Sequence, residues 1–414
     1  MKKREFYLSQ LRPTYDMPYI KYLVGIRGTG KTTIFNDIIS ELKSNNIDES
    51  HIIYINFEFV ENMKLRDVTK LEKYLKSKVI DNNLHYVFLD EIQYVMGYEK
   101  LLSKFSIHLA NLNIFASCSN SRGLKENFGT LNPMQYAHFY ITPLGYKEVC
   151  EILNANPHDK NVLLNYLKYG GFPERIKFRK SSEVKKYLYS ALDSIFLRDV
   201  VIRLGTNNVE QMIIILKYLV KHIGEEFTEA MLKEEVLSNE KEFTENDFIM
   251  AFDALEKSLL IHSIHGYNVY HNIPLQGKFR FYLNDLSLTF LFAFDPKNNM
   301  NQFLKNLVWL ELKRRGYDVY QGCNTDSSFD FVAKRNSKIL YIQVVEYLED
   351  GNSINKEIEK FGKIEHLNQK ILLSLDRENY SRKGVLHRNL IDFLLDDIND
   401  IEDLGRPYGW VSIE

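Results

Sequence analysis

Ile20-Lys21-Tyr22-Leu23-Val24 runs directly into Gly25-Ile26-Arg27-Gly28-Thr29-Gly30-Lys31-Thr32, and Ile34, Phe35, Ile38, Ile39 and Leu42 follow at helical spacing. The first five residues read as a strand. The octet fits the phosphate-loop pattern G-x-x-x-x-G-K-[ST]. Strand, glycine turn and helix, in that order, are the setting the chemistry needs. Glycines let successive backbone N–H groups curl around an anion, and a helix N-terminus adds the positive end of its dipole. In this reading Gly25, Ile26, Arg27, Gly28, Thr29, Gly30, Lys31, Thr32 and Thr33 hold the phosphates of ATP. Lys31 reaches the β- and γ-phosphates as the catalytic cation, and Thr32 ligates Mg2+. Taken alone, the octet also fits a glycine turn before an ordinary helix.

A second stretch supports the first. Leu84-His85-Tyr86-Val87-Phe88-Leu89 is mostly apolar and ends in Asp90-Glu91. Runs of this length read as strands buried on both faces of a parallel sheet. Carboxylates at the C-terminal end of such a strand sit where ligands bind in open α/β sheets. Asp90 is expected to hold Mg2+, and Glu91 to polarise the attacking water as general base. A solvated acidic turn is the competing reading. It loses ground because a phosphate loop lies upstream.

Composition narrows the classes. The chain has 414 residues, 45% hydrophobic, and a formal net charge of −2. Two to four domains are expected at about 150 residues each, with no global pull toward nucleic acid or membrane. Three cysteines, Cys118, Cys150 and Cys323, lie far apart and fit neither a disulfide framework nor zinc spacing. No run reaches the roughly 18 apolar residues of a membrane helix, and no signal peptide is visible. A cytoplasmic protein with no membrane contact is expected.

Residues 17–150 alternate strand and helix, with further strands expected at 51–57, 84–90, 113–117 and 138–141. This pattern implies a parallel sheet with helices on both faces. The polar cluster Ser117-Cys118-Ser119-Asn120 follows the fourth strand and could report the γ-phosphate, Ser119 and Asn120 in particular; a plain turn fits those residues equally well. From 145 to about 203 the pattern turns helical, interrupted by Tyr169-Gly170-Gly171-Phe172-Pro173-Glu174. Residues 174–203 carry eight Lys/Arg against four acids, read as a solvated face that could also lend a cation to ATP. Residues 206–280 look like a winged helix, with helices over 209–223, near 229–238 and from Thr244, and a hairpin around His265-Gly266-Tyr267-Asn268 as the wing. Residues 206–262 carry ten Glu and two Asp against five Lys, a charge that repels DNA phosphates. A structural or protein-contact role is expected there. Residues 285–414 read as an α-β-β-β-α-β series.

The order of motifs resembles the prokaryotic ATPases with an AAA+-type P-loop domain and a C-terminal, restriction-endonuclease-like DUF4143 domain. The residues carrying the resemblance are Gly25 to Thr32, Leu89-Asp90-Glu91-Ile92-Gln93, Ser119-Asn120 and Gly170-Gly171-Phe172-Pro173-Glu174. Glu311 to Tyr317, Asp330-Phe331-Val332 and Ile342-Gln343-Val344 continue it. The resemblance implies an α/β fold. It comprises an AAA+-type core over 1–150, a helical lid over 151–205, the winged-helix module over 206–280 and a nuclease-like domain over 285–414. It also implies ATP and Mg2+ binding, ATP hydrolysis driving a switch or remodeller, and sites often completed by a second copy. Leu131-Asn132-Pro133-Met134-Gln135-Tyr136 departs from the family by lacking an arginine.

Restriction-type nucleases combine a helix Glu, a strand Asp and a Glu/Gln-x-Lys. Glu311, Asp330 and Gln343 could fill the first three positions, but the Lys position is Val345. A degenerate domain kept for protein or nucleic-acid partners is favoured. Two alternatives stay open: an ATP-gated nuclease or DNA-binding protein acting through this domain, and a nucleotide-regulated scaffold that does not hydrolyse ATP.

Overall fold

The computed structural model describes residues 3–108, 111–121, 136–201, 209–228, 244–323, 328–362 and 368–396, with single positions at 230, 231, 233, 234, 238 and 364. The chain divides into two compact units, one carrying Met1–Ile141 and the other Thr142–Ile398.

The first unit is a parallel sheet of five strands in the order β2-β3-β4-β1-β5. The strands are β1 (Ile20–Val24), β2 (Ile52–Asn56), β3 (His85–Asp90), β4 (Leu112–Cys118) and β5 (Tyr136–Tyr140). β1, β3 and β4 are buried along their whole length, as strands covered on both faces must be. Helix α1 (Glu5–Leu11) precedes β1, and α2 (Lys31–Ser44) follows it. Ile34, Phe35, Ile38 and Leu42 of α2 are buried and pack in one core with Tyr7, Leu8 and Leu11 of α1 and Phe88 and Phe115 of the sheet. Helices α3 (Val68–Lys78) and α4 (Tyr98–His108) flank β3 in sequence. Asp67 caps α3 by accepting the Lys70 N–H at 2.9 Å. Lys21 is fully buried within β1, where its ammonium bonds Met17 O and Asn113 Oδ1.

The second unit begins with helices Tyr146–Leu153, Lys160–Tyr169 and Ser181–Ile195. The Gly-Gly corner lies between the last two. Gly170 has φ +65, and a Cβ there would sit 1.9 Å from Asp285 Oδ1. Asp285 accepts the Gly171 N–H at 2.8 Å and the Ser287 N–H at 2.8 Å. Arg175 closes the corner by donating to Gly170 O at 3.1 and 2.9 Å. Arg175 is therefore a buried structural cation, not part of the solvated basic face expected over 174–203.

Helices Val209–Lys221 and Glu245–Lys257 follow, the second opened by the Thr244/Asp247 capping box. The expected short helix near 229–238 falls partly outside the described residues. An eight-stranded mixed sheet has the order β13-β12-β11-β10-β9-β7-β8-β6. It comprises β6 (Phe227–Thr228), β7 (Ile261–Asn268), β8 (Ile273–Leu283), β9 (Asp318–Cys323), β10 (Ser328–Arg335), β11 (Lys338–Val344), β12 (Gln369–Ser374) and β13 (Val385–Asn389).

Two expectations change here. The hairpin expected around His265–Asn268 forms from β7 and β8, but its turn lies at 269–272, so these four residues are strand. Gly266 marks a β-bulge between His265 and Tyr267, and a Cβ there would press on Cys323 Sγ at 3.1 Å. A glycine inside a strand commonly marks such a bulge or close approach. In addition, β7 pairs in parallel with β9. One sheet therefore runs through both the expected winged-helix segment and the expected nuclease-like segment. No helix among the described residues is long and apolar enough to cross a membrane.

Candidate functional site

The C-terminal ends of β1, β3 and β4 converge because the strands are parallel and β4 lies between the other two. The glycine loop leaves β1 tightly. Gly25 N–H donates to Cys118 O at 3.2 Å, and a Cβ on Gly25 would lie 2.0 Å from Ile141 O. Gly28 and Gly30 take φ +87 and +92, a region closed to most L-residues. The first bond back into α2 runs from Ile34 N–H to Gly30 O at 3.0 Å. The N–H groups of Lys31, Thr32 and Thr33 thus form the open first turn, a ready anion site.

Lys31 is buried. Its ammonium donates to Gly25 O at 2.8 Å and lies 3.8 Å from Glu91. Arg27 pairs with Glu58 and approaches Glu91 at 3.9 Å. Thr32 Oγ1 donates to Asp90 Oδ2 at 2.7 Å. The same oxygen accepts Tyr54 OH at 3.0 Å and Asn56 Nδ2 at 3.0 Å. The other Asp90 oxygen accepts Ser117 Oγ. Burial and the Glu91 charge raise the Asp90 pKa.

Glu91 takes the left-handed conformation, φ 59. Its N–H donates to Ser117 Oγ at 2.9 Å, and its carboxylate accepts Ser119 Oγ and Gln93 Nε2. One serine hydroxyl thus ties both acidic residues together. Burial alone would raise the Glu91 pKa, but Lys31 and Arg27, with the Ser119 and Gln93 bonds, hold it at about 2. Asn120 lies beside this group with its side-chain oxygen 3.1 Å from Cys118 Sγ. Residues 131–135, the stretch without an arginine, lie outside the described residues.

Lys31, Thr32, Asp90, Glu91 and Ser119 are therefore brought into one bonded cluster. Sequence reasoning missed Tyr54, Asn56 and Glu58 as members, and named Ser117 only within the polar cluster after the fourth strand. The signal for Asn56 is its register opposite Asp90, which appears only once β2 is paired with β3. As a fit to Mg-ATP, the cluster offers a nest of N–H groups that a side chain at Gly25 would disrupt. It also offers one lysine and two hard oxygen donors, Thr32 and Asp90.

The expected nuclease residues are not assembled as a metal set. Glu311, on the helix Met300–Arg314, accepts Arg314 at 2.8 and 2.6 Å and Arg315 at 2.6 Å. Asp330 is bound by Lys305 at 2.7 Å, Arg280 at 3.1 Å and Val344 N–H at 2.9 Å. In both carboxyls the neighbouring cations outweigh burial and lower the pKa. Gln343 accepts the Asp330 N–H at 3.1 Å and donates to Glu357 at 2.8 Å.

His51, Asp81 and His85 also approach one another, at the N-terminal edge of the first sheet. Asp81 accepts His51 at 3.1 Å and both Asn83 donors at 2.8 Å. His85 accepts Ile80 N–H at 3.2 Å and donates to Asn83 O at 2.8 Å. These groups already staple the α3–β3 turn, and satisfied lone pairs of this kind mark a structural cluster.

Comparison with known proteins agrees with this geometry for the first unit. Residues 18–150 match the model of an AAA domain. Residues 160–296 match a domain of unknown function, DUF8612. The family matched after the AAA-like segment is thus DUF8612, which corrects the expected DUF4143 assignment. An uncharacterised protein of Haemophilus influenzae is 28% identical over 83% of this chain and 86% of its own length. An uncharacterised protein of Methanocaldococcus jannaschii is 26% identical over 85% and 81%. Among solved structures, AMPPCP-bound DnaA from Aquifex aeolicus is 15% identical over 60% of this chain and 86% of its own, with a TM-score of 0.30. Residues 18–150 are thus similar to an AAA domain, and the loop Gly25–Thr32 lies within the matched residues.

Proposed function

We propose that this chain binds ATP with Mg2+ and hydrolyses it, acting as a nucleotide-driven switch or remodeller. One observation carries the reading. A glycine loop with open N–H groups, a buried lysine, a threonine hydroxyl 2.7 Å from a buried aspartate, and a glutamate held ionised meet at one sheet edge.

Each residue has a role in the proposal. The N–H groups of the loop and of the first turn of α2, including those of Ile26, Gly30 and Thr33, hold the phosphates. Lys31 is already inside the loop, anchored on Gly25 O, where its charge faces the terminal phosphates. Thr32 and Asp90 are the oxygen donors for the metal. Held there, Mg2+ would supply neutralisation of the charge that develops on the phosphates. Glu91, ionised at neutral pH, accepts a hydrogen bond from the attacking water. Ser119 and Gln93 orient its carboxylate, and Ser117 sets its backbone. Asn120 extends this polar edge beyond Ser119. Residues 285–396 are proposed as a structural or partner-binding part, since cations occupy the carboxylates a nuclease would give to metal.

Phosphate release from Mg-ATP tests the reading. Glu91→Gln is expected to keep Mg-ATP bound and to lose turnover by about 10²-fold or more, the range for a general base. Equal turnover in the two proteins would remove Glu91 from the chemistry.

A further inference from the structure

We infer that Arg4, outside every recognised motif, is a positioning residue for the phosphate loop: it holds the Thr29–Gly30 peptide so that its N–H faces a bound polyphosphate. The inference rests on the nucleotide-binding reading above.

Arg4 lies just before α1 and is 1% exposed. Its NH1 donates to Thr29 O at 2.9 Å, and its guanidinium lies 4.7 Å from the centre of the Tyr7 ring. Burying a guanidinium is costly unless its hydrogen bonds are kept, and one of the bonds that keep this one goes to the loop. The placement is rigid. Arg4 O accepts the Tyr7 and Leu8 N–H groups at 3.0 and 3.1 Å, and Tyr7 and Leu8 belong to the core that holds α2. The same segment grips the far end of α2. Arg12 donates to Glu41 at 2.8 and 3.0 Å, and Tyr15 OH does so at 2.9 Å. Residues 4–15 therefore form a strap fastened at both ends of the helix that follows the loop.

The Thr29–Gly30 peptide needs such a fastening. A trans peptide is planar, so its C=O and N–H point in opposite directions. Fixing the carbonyl fixes the N–H. Gly30, at φ +92, carries no Cβ to resist rotation of that plane. Thr29 turns its own N–H and Oγ1 to Ile26 O, at 3.4 and 3.0 Å, and presents its carbonyl to Arg4. A charge-assisted bond on that oxygen also polarises the N–H of the same peptide toward an anion.

Calorimetric titration of the full chain with Mg-ATP, and separately with pyrophosphate, tests this. The proteins are wild type, Arg4→Met and Arg4→Lys, each held well below its own melting temperature. Arg4→Met is expected to weaken both ligands by about tenfold or more, the scale of one hydrogen bond from a charged group. Arg4→Lys, with its charge but a single shorter donor, is expected to lie between Arg4→Met and wild type. A residue that only stabilises the fold would lower the melting temperature and leave affinity in the folded protein unchanged. Wild-type affinity for both ligands in folded Arg4→Met overturns the inference. If Arg4→Met does not fold, wild-type affinity in Arg4→Lys overturns it equally. A wild-type protein that binds neither ligand overturns the nucleotide reading and this inference with it, whereas binding wild type with unaffected variants overturns the role of Arg4 alone.

Discussion

Gly25→Ala puts a single methyl group where the loop leaves the sheet. That methyl would lie 2.0 Å from Ile141 O and 3.0 Å from Ile141 C. Side-chain carbons do not approach backbone oxygen closer than 3.0 Å, so the gap must open by at least about 1 Å. Neither side yields easily. Ile141 N–H is bonded to Val24 O at 2.7 Å, and Gly25 N–H to Cys118 O at 3.2 Å. The displacement therefore passes into the loop, whose Gly25 carbonyl also receives Lys31 at 2.8 Å. A misplacement of about 1 Å at reacting groups costs on the order of 10²-fold in rate, or about 2.7 kcal/mol of barrier. Steady-state phosphate release and Mg-ATP titration read this directly. Gly351→Ala is the control, because a Cβ there meets nothing within 4 Å. Gly25→Ala with wild-type affinity and turnover would refute the assignment of this loop as the phosphate cradle.

Two further outcomes follow from the charged clusters. The Arg12 hydrogen bond, aided by Tyr15 and Lys3, holds Glu41 at about 2 against an ordinary 4.5. A lowered carboxyl pKa stabilises the fold fully above 4.5 and is lost as pH falls toward 2. The melting temperature of wild type should therefore fall more steeply over that window than that of Glu41→Gln; parallel curves would contradict the assignment. With Mg2+ or Mn2+, the purified chain should not cleave plasmid or single-stranded DNA, because Asp330 is neutralised by Lys305 and Arg280. Cleavage that disappears in Asp330→Ala would show that those cations give way to metal.

Local patterns were legible in the sequence where one stretch carried the whole signal. The β1–loop–α2 unit is such a stretch, as is the strand ending in Asp90-Glu91. Apolar periodicity and glycine spacing placed both correctly along the chain. The residues that reach Asp90 from β2 were not legible. Tyr54 and Asn56 bond Asp90 from there, and strand order is set by packing between distant segments. Arg4 was hidden for the same reason, since nothing near residue 4 announces residue 29. Asp285 lies 114 residues from the glycine corner it locks.

The nuclease-like constellation failed on helix geometry that the sequence did contain. Arg314 and Arg315 stand three and four residues after Glu311, the spacing at which helical charges pair, and there they bind it. Lys305, which meets Asp330, precedes Glu311 by six residues. At 3.6 residues per turn the two side chains point about 120° apart. With Lys305 turned to Asp330, Glu311 is left on a different face of the helix.

The most direct measurement is a calorimetric titration of Mg-ATP into the wild-type chain and into Lys31→Ala. Lys31 is the side chain anchored inside the loop, and a lysine there carries the charge that meets the terminal phosphates. Saturable one-to-one binding by wild type, lost in a folded Lys31→Ala protein, is the expected result. Equal affinity in the two folded proteins would contradict the claim that this loop is where the nucleotide binds.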